Sequence, residues 1–167
     1  MALALNIVII ILALVTLYFL LKGGPRAAAP VGKPAGGSYT PLPQGEPMHH
    51  WSDGGRFQLE VLGESRYSDT IRALAGEHGD LPADAHYKAL LLVDDNNPYE
   101  DKAVAVFLNQ QMVGYLAPKD AAMFRQMLAR QEIAGQLTSC DAVIRGGQLF
   151  DGKRMAYAVL LDIEASA

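Results

Sequence analysis

The chain has 167 residues, half of them hydrophobic, a formal net charge of −4 and a single cysteine, Cys140. One cysteine excludes an internal disulfide framework and a thiolate-rich zinc site. From residue 51 onward 11 basic residues stand against 17 acidic ones, a net of −6, which disfavours broad phosphate binding and leaves only local, end- or base-directed contact with nucleic acid.

Ala2 to Leu21 is apolar apart from Asn6, Thr16 and Tyr18. At about 1.5 Å per residue such a run spans about 30 Å, the thickness of a bilayer core, so residues 1–22 are expected to form one transmembrane helix. The competing reading is a cleaved signal peptide with a processing site at Ala27-Ala28-Ala29, but no Lys or Arg precedes the run and it exceeds a usual signal h-region. Lys22, Arg26 and Lys33 all follow it, which by the positive-inside rule places the C-terminal side in the cytoplasm.

Gly23 to His50 holds six of the nine prolines with Gly, Ala and Ser, too little bulky apolar surface to form a core. Residues 23–55 are expected to be a flexible linker, the 23–50 stretch reaching roughly 30 Å as a coil and up to about 85 Å when extended. His49-His50 has no acid or cysteine beside it to complete a metal site, so solvated histidines and no metal are expected there.

The domain expected over 56–167 opens with alternation: Phe57, Leu59 and Val61 share one face of a strand, and Gly63-Glu64-Ser65 ends it. Asp69 to Gly76 reads as a short helix, with Asp69 as cap and Gly76 as the stop. Glu77 to Ala85 reads as a loop, with His78 and His86 at its surface. Tyr87 to Val93 is the next strand and delivers the chain into a turn, Asp94-Asp95-Asn96-Asn97-Pro98-Tyr99-Glu100-Asp101, in which Pro98 restricts Asn97 and the Asp and Asn side chains bond nearby amides. Ala103 to Leu108 and Met112 to Leu116 form a hairpin reversed by Asn109-Gln110-Gln111, with Val104, Val106 and Leu108 on one face. A helix capped by Asp120 carries Phe124, Met127 and Leu128 on one side and Arg125 and Arg130 on the other. Leu137 to Arg145 and Met155 to Glu164 close the chain as a strand pair. Six strands and two short helices without βαβ repetition predict a small barrel or partly closed sheet.

The Asn-Asn-Pro-Tyr-acid turn, then Ala-Val-Ala-Val, then Val113-Gly114-Tyr115-Leu116, resembles the HIRAN domain, and Leu59 to Glu64 is similar to that family's first strand. The resemblance runs from about Phe57 to Glu164 and implies a mainly β, OB-like six-stranded barrel. It also implies a pocket for the 3′ end of single-stranded DNA, in which Tyr99 stacks and Glu100 meets the terminal hydroxyl. Arg66 and Tyr67 follow the first strand where a DNA-binding member of the family has an Arg-Tyr-Tyr run, with Ser65 at its first place here; the resemblance assigns Tyr67 to stacking and Arg66 to a phosphate or base. Tyr115 and Lys119 complete the expected rim, and Asn97 belongs to the turn.

No catalytic constellation is visible. The glycine pairs Gly54-Gly55 and Gly146-Gly147 lack the Lys-Ser or Lys-Thr sequel of a phosphate loop. Ser139-Cys140-Asp141 lies in a strand with no adjacent histidine. The expectation is therefore a membrane-tethered module that binds and does no chemistry and needs no cofactor. Its partner is single-stranded DNA or another nucleic acid, and the alternative is a protein or peptide in a membrane-associated assembly.

Overall fold

The computed structural model describes residues 39–164. The apolar run Ala2–Leu21 and the cations behind it lie outside them. Among the described residues no helix is long and apolar enough to cross a membrane.

The described residues form nine strands and two helices in order: β1 (His50–Trp51), β2 (Leu59–Leu62), α1 (Glu64–Ala75), β3 (Ala83–Val93), β4 (Val104–Leu108), β5 (Gln111–Leu116), α2 (Pro118–Arg130), β6 (Thr138–Gly146), β7 (Leu149–Phe150), β8 (Lys153–Arg154) and β9 (Tyr157–Leu161). Six of them, in the order β6-β3-β4-β5-β2-β9 with β9 pairing back onto β6, close into an antiparallel barrel. These are the six runs expected from the sequence; alternation marks the first and the last of them, because a strand lining a closed barrel turns every second side chain inward. Val61, Leu91, Val104, Val106, Leu108, Ile144 and Leu161 belong to the resulting core. Strand β4 is buried on both faces, and Ala105 and Phe107 join Met112 in a smaller cluster against Tyr67 and Tyr115.

The hairpin between β4 and β5 reverses through Asn109 and Gln110, both at positive φ (47° and 62°), the conformation of a type I′ turn. The pairing slips one residue at Val113, so that Val106 faces Gly114 while Phe107 faces Met112. Gly114 is required just there: a Cβ on it would lie 2.2 Å from the carbonyl oxygen of Leu62. Gly63 approaches the same place, where a Cβ would meet Gly114 Cα at 2.8 Å. This close passage turns the chain from β2 directly into α1.

The first helix accordingly begins at Glu64 and not at Asp69, and the Tyr67 amide donates to the Gly63 carbonyl at 3.0 Å. The expected cap at Asp69 is therefore corrected, since the glycine reversal starts the helix five residues earlier. Gly76 ends it as expected, at φ 70°. In the second helix Pro118 occupies the first turn and Asp120 is a first-turn acid, not the cap; proline there gives up no hydrogen bond. Strand β3 starts at Ala83 and so takes in His86 from the expected loop.

Residues 39–55, assigned to the linker by composition, lie along the barrel. Strand β9 pairs with β6 only from Ala142 to Gly146, which leaves the Thr138–Cys140 edge of β6 open on that side. Met48 N donates to Leu137 O (2.8 Å), Ser139 N donates to His49 O (2.9 Å), and β1 pairs there in parallel. Trp51 then packs edge-on against Phe124 of α2, with ring centroids 5.8 Å apart. Composition excludes a core of the segment's own, not docking onto an unpaired edge.

Asp162, 2% exposed, anchors the end of this segment. It accepts from Ser52 Oγ (2.7 Å) and from the amides of Gly55 (2.8 Å) and Arg56 (3.1 Å). Burial alone raises its carboxyl, but these donors outweigh burial and hold it below the usual range. A depressed carboxylate stabilises the fold above its unfolded value of about 3.9 and loses that contribution as pH falls through the folded one. Asp162→Ala should cost about 2–3 kcal/mol at neutral pH by chemical denaturation, and the gap to wild type should narrow below about pH 4.

Candidate nucleic-acid interface

The loop from Asp94 to Ala103 joins β3 to β4, and its shape follows from one buried carboxylate. Asp94 is 3% exposed. Its Oδ1 accepts from the Tyr39 hydroxyl (2.6 Å) and its Oδ2 from Asn97 Nδ2 (3.0 Å). Asn97 then turns its own oxygen onto the amides of Tyr99 (2.9 Å) and Glu100 (3.1 Å), an Asx turn of the kind that Asn-Pro sequences favour. The result projects the Tyr99 ring outward, 71% exposed.

Arg125 of α2 holds the same loop from below. Its Nε donates to Lys102 O (3.0 Å) and its Nη2 to Ala103 O (2.9 Å), while Nη1 pairs with Asp95 (2.7 Å). Arg125, expected with Arg130 on the side of its helix away from Phe124, Met127 and Leu128, is instead covered by this loop. Helical periodicity puts it one turn from Leu128, at the margin of the apolar face, but cannot say that a loop covers that margin.

A cavity of about 350 Å³ opens beside the turn, lined by Tyr39, Leu62, Gly63, Arg66, Tyr67, Asn97, Tyr99, Glu100, Ala103, Tyr115, Leu116 and Pro118. Six of the seven residues singled out in the sequence, Arg66, Tyr67, Asn97, Tyr99, Glu100 and Tyr115, therefore meet around one space. Lys119 follows Pro118 and is not part of the lining. The early start of α1 is what brings Arg66 and Tyr67 there, with the Arg66 guanidinium 5.8 Å from the Tyr67 ring centroid. Tyr67 donates to Met112 Sδ (3.5 Å), which ties the ring to the outer cluster beneath it.

Sequence reasoning missed Tyr39, Asp94 and Arg125. Asp94 looked like one more polar turn residue. Tyr39 sat in a stretch without periodicity, 55 residues from its partner.

The phenols share an electrostatic setting. Burial, then the hydrogen bond to Asp94 and its charge, push Tyr39 up to about 12. Burial, followed by the charge of Asp94 and the neighbouring Tyr67 and Tyr39, raises Tyr115, with the Asn97 hydrogen bond opposing. Burial also raises Tyr67, with Arg66 opposing. All three are neutral hydroxyls at physiological pH, offering ring faces and hydrogen bonds without charge. In β6, opposite Ala89 of β3, Cys140 is fully buried and burial pushes its thiol up, away from the thiolate that nucleophilic chemistry uses. His50 Nδ1 lies 3.0 Å from Ser139 Oγ and His49 stacks edge-on against Trp51; among the described residues no group of three or more His, Cys, Asp or Glu side chains is arranged to hold a metal.

Comparison with known proteins returns no matching family model, no matching curated protein and no matching solved structure.

Two outcomes test this geometry. Gly114→Ala should cost about 2–4 kcal/mol in denaturant unfolding, because the nearest atom that the added methyl meets is the Leu62 backbone carbonyl, which cannot swing aside as a side chain can. A phenol raised in the folded state contributes stability that is complete below its unfolded value near 10 and is lost as pH rises through the folded one. The stability gap between wild type and Tyr39→Phe, followed by thermal melting, should therefore shrink between about pH 10 and 12.

Proposed function

We propose that the chain is a non-catalytic nucleic-acid-binding module of the HIRAN type, with an OB-like barrel, that takes the end of a single strand at the turn around Tyr99. The observation that supports this most is the convergence of Arg66, Tyr67, Asn97, Tyr99, Glu100 and Tyr115 on one cavity, from three segments that are distant in sequence. The cavity's volume falls within the range of small-ligand sites.

Tyr99 stacks a terminal base on its exposed ring, a contact worth roughly 1–3 kcal/mol. The Glu100 carboxylate accepts a hydrogen bond from the terminal hydroxyl. Arg66 meets the phosphate that follows, bidentate and permanently charged. Tyr67 and Tyr115, held against the β4–β5 wall, form the apolar side on which the sugar or a second base rests. An end-directed contact of this kind needs few cations, as the acidic balance of the chain requires.

Fluorescence anisotropy with the full-length chain and labelled single-stranded oligonucleotides at low salt tests the reading. Tyr99→Ala, a change at an exposed position, should weaken binding about 5- to 100-fold. A 3′ phosphate should weaken it further by placing a second negative charge against Glu100. Absence of binding at low salt, where phosphate contacts are strongest, sinks the proposal in favour of a protein or peptide partner at the same rim.

A further inference from the structure

A second surface lies on the other side of α1. Its centre is the hairpin formed by β7 and β8, where Leu149 pairs with Arg154 and Phe150 with Lys153 across an Asp151-Gly152 turn. Both turn residues take positive φ (50° and 73°), the geometry that makes Asp-Gly a strong two-residue reversal. The loop 78–81 is fastened beside it. Leu149 N donates to Asp80 O (3.1 Å), and Arg154 Nη1 donates to the carbonyls of Gly79 (3.1 Å) and Gly147 (2.5 Å).

This small, well-fastened structure exposes apolar side chains. Leu81 is 72% exposed, Phe150 70%, Met155 45% and Leu149 42%. They are half of the large hydrophobic residues that are exposed among the described ones; Leu149, Phe150 and Met155 belong to or adjoin the hairpin, and Leu81 follows the Asp80 carbonyl to which Leu149 N donates. Single exposed apolar residues need no explanation, whereas a group of them on one projecting feature marks a surface that is covered in use.

The charges beside the patch point to what covers it. A groove of about 570 Å³ between α1 and the hairpin is lined by Ser65, Ser68, Arg72, Lys153 and Arg154, with Ile71, Met155 and Tyr157 as its apolar part. No carboxylate lines the groove; the exposed acids of the face, Asp80 in the loop and Asp151 at the hairpin turn, lie outside it. The ion pair of Arg72 is a long contact of 3.7 Å with exposed Asp69, and neither Lys153 nor Arg154 is ion-paired among the described residues. Apolar side chains that enter the acyl boundary, with cations at headgroup level, are what an anionic bilayer surface selects.

We propose that the β7–β8 hairpin and the loop 78–81 form a docking face for anionic lipid, Leu81, Leu149, Phe150 and Met155 entering the interface while Arg72 and Lys153 meet headgroup phosphates. Arg154 fastens the hairpin. The length of chain before the domain agrees with this occupant: residues 22–38 separate the apolar run from Tyr39, a spacer of at most about 60 Å, so a chain anchored through that run keeps the domain within that reach of a bilayer, and the apolar and cationic side chains of this face select the side that meets it. The inference draws on the anchor expectation for proximity and on nothing in the nucleic-acid reading.

The test uses the full-length chain reconstituted in phosphatidylcholine vesicles, with or without phosphatidylserine, whose acyl chains carry bromine as a quencher. Phe150→Trp adds a reporter at the patch, and the wild type, with Trp51 alone, gives the background. With phosphatidylserine the variant should be quenched about twofold or more beyond wild type, and 1 M salt or the added changes Arg72→Gln and Lys153→Gln should remove most of that signal. Quenching no greater than wild type overturns the proposal, as does equal quenching with and without phosphatidylserine. A blue shift that grows with protein concentration and needs no vesicles also overturns it, in favour of a second copy of the chain. Carbonate extraction of the same vesicles separates the two readings: a chain released by carbonate but quenched before it refutes the anchor and supports the face.

Discussion

A carboxylate placed where water does not reach must be given partners, and each partner is then fixed in space. Asp94 imposes this requirement on the candidate site. Isolated burial of a charge is prohibitive, and a paired one is stable only when its lone pairs are filled by well-directed donors. Tyr39 and Asn97 fill them, and Asn97 in turn winds the amides of Tyr99 and Glu100 around its own oxygen. The exposed ring at the cavity mouth is thus two hydrogen-bonded steps from Asp94, Asn97 standing between them. Arg125 removes the remaining freedom by holding Asp95, Lys102 and Ala103 from α2.

The same principle operates a second time at Asp162. Together the two buried aspartates hold the segment before the barrel at both ends, Tyr39 at Asp94 and Ser52 to Arg56 at Asp162. Between these points β1 closes the open edge of β6 and Trp51 covers Phe124. A stretch with no core of its own is held by carboxylates, one strand edge and one indole. Tyr39 also lines the cavity, so the docking of this segment and the shape of the site are one event.

These contacts change what the charge count means. Asp94 and Asp162 face inward, Asp95 is matched by Arg125 and Asp53 by Arg56. Several of the acids that make the chain anionic are therefore structural, and the field outside is set by those that remain on each face. On the flank of α1 away from Tyr99 the charged residues that line the groove, Arg72, Lys153 and Arg154, are all cationic. Net charge is a property of the sequence; surface charge is a property of the fold.

What the sequence by itself determined is the set of local patterns. Alternation in Leu59–Leu62 and Tyr157–Leu161 marks strands because a barrel wall has an inside and an outside; the β4 run marks a strand with Val104, Val106 and Leu108 on one face, and only the structure shows its other face covered as well. The turn 94–103 is legible from Asn, Pro and Asp, and six of the seven residues singled out do converge on one cavity. What only the tertiary structure decided involves partners far apart along the chain. Asp94 and Tyr39 are 55 residues apart, and Asp162 and Gly55 107. The early start of α1 depends on Gly63 meeting Gly114, and the docking of β1 depends on where β9 stops pairing. Periodicity reports how a segment buries its own side chains. It carries no information about which distant group satisfies a buried charge or an open strand edge, and those two requirements decide the shape of the site.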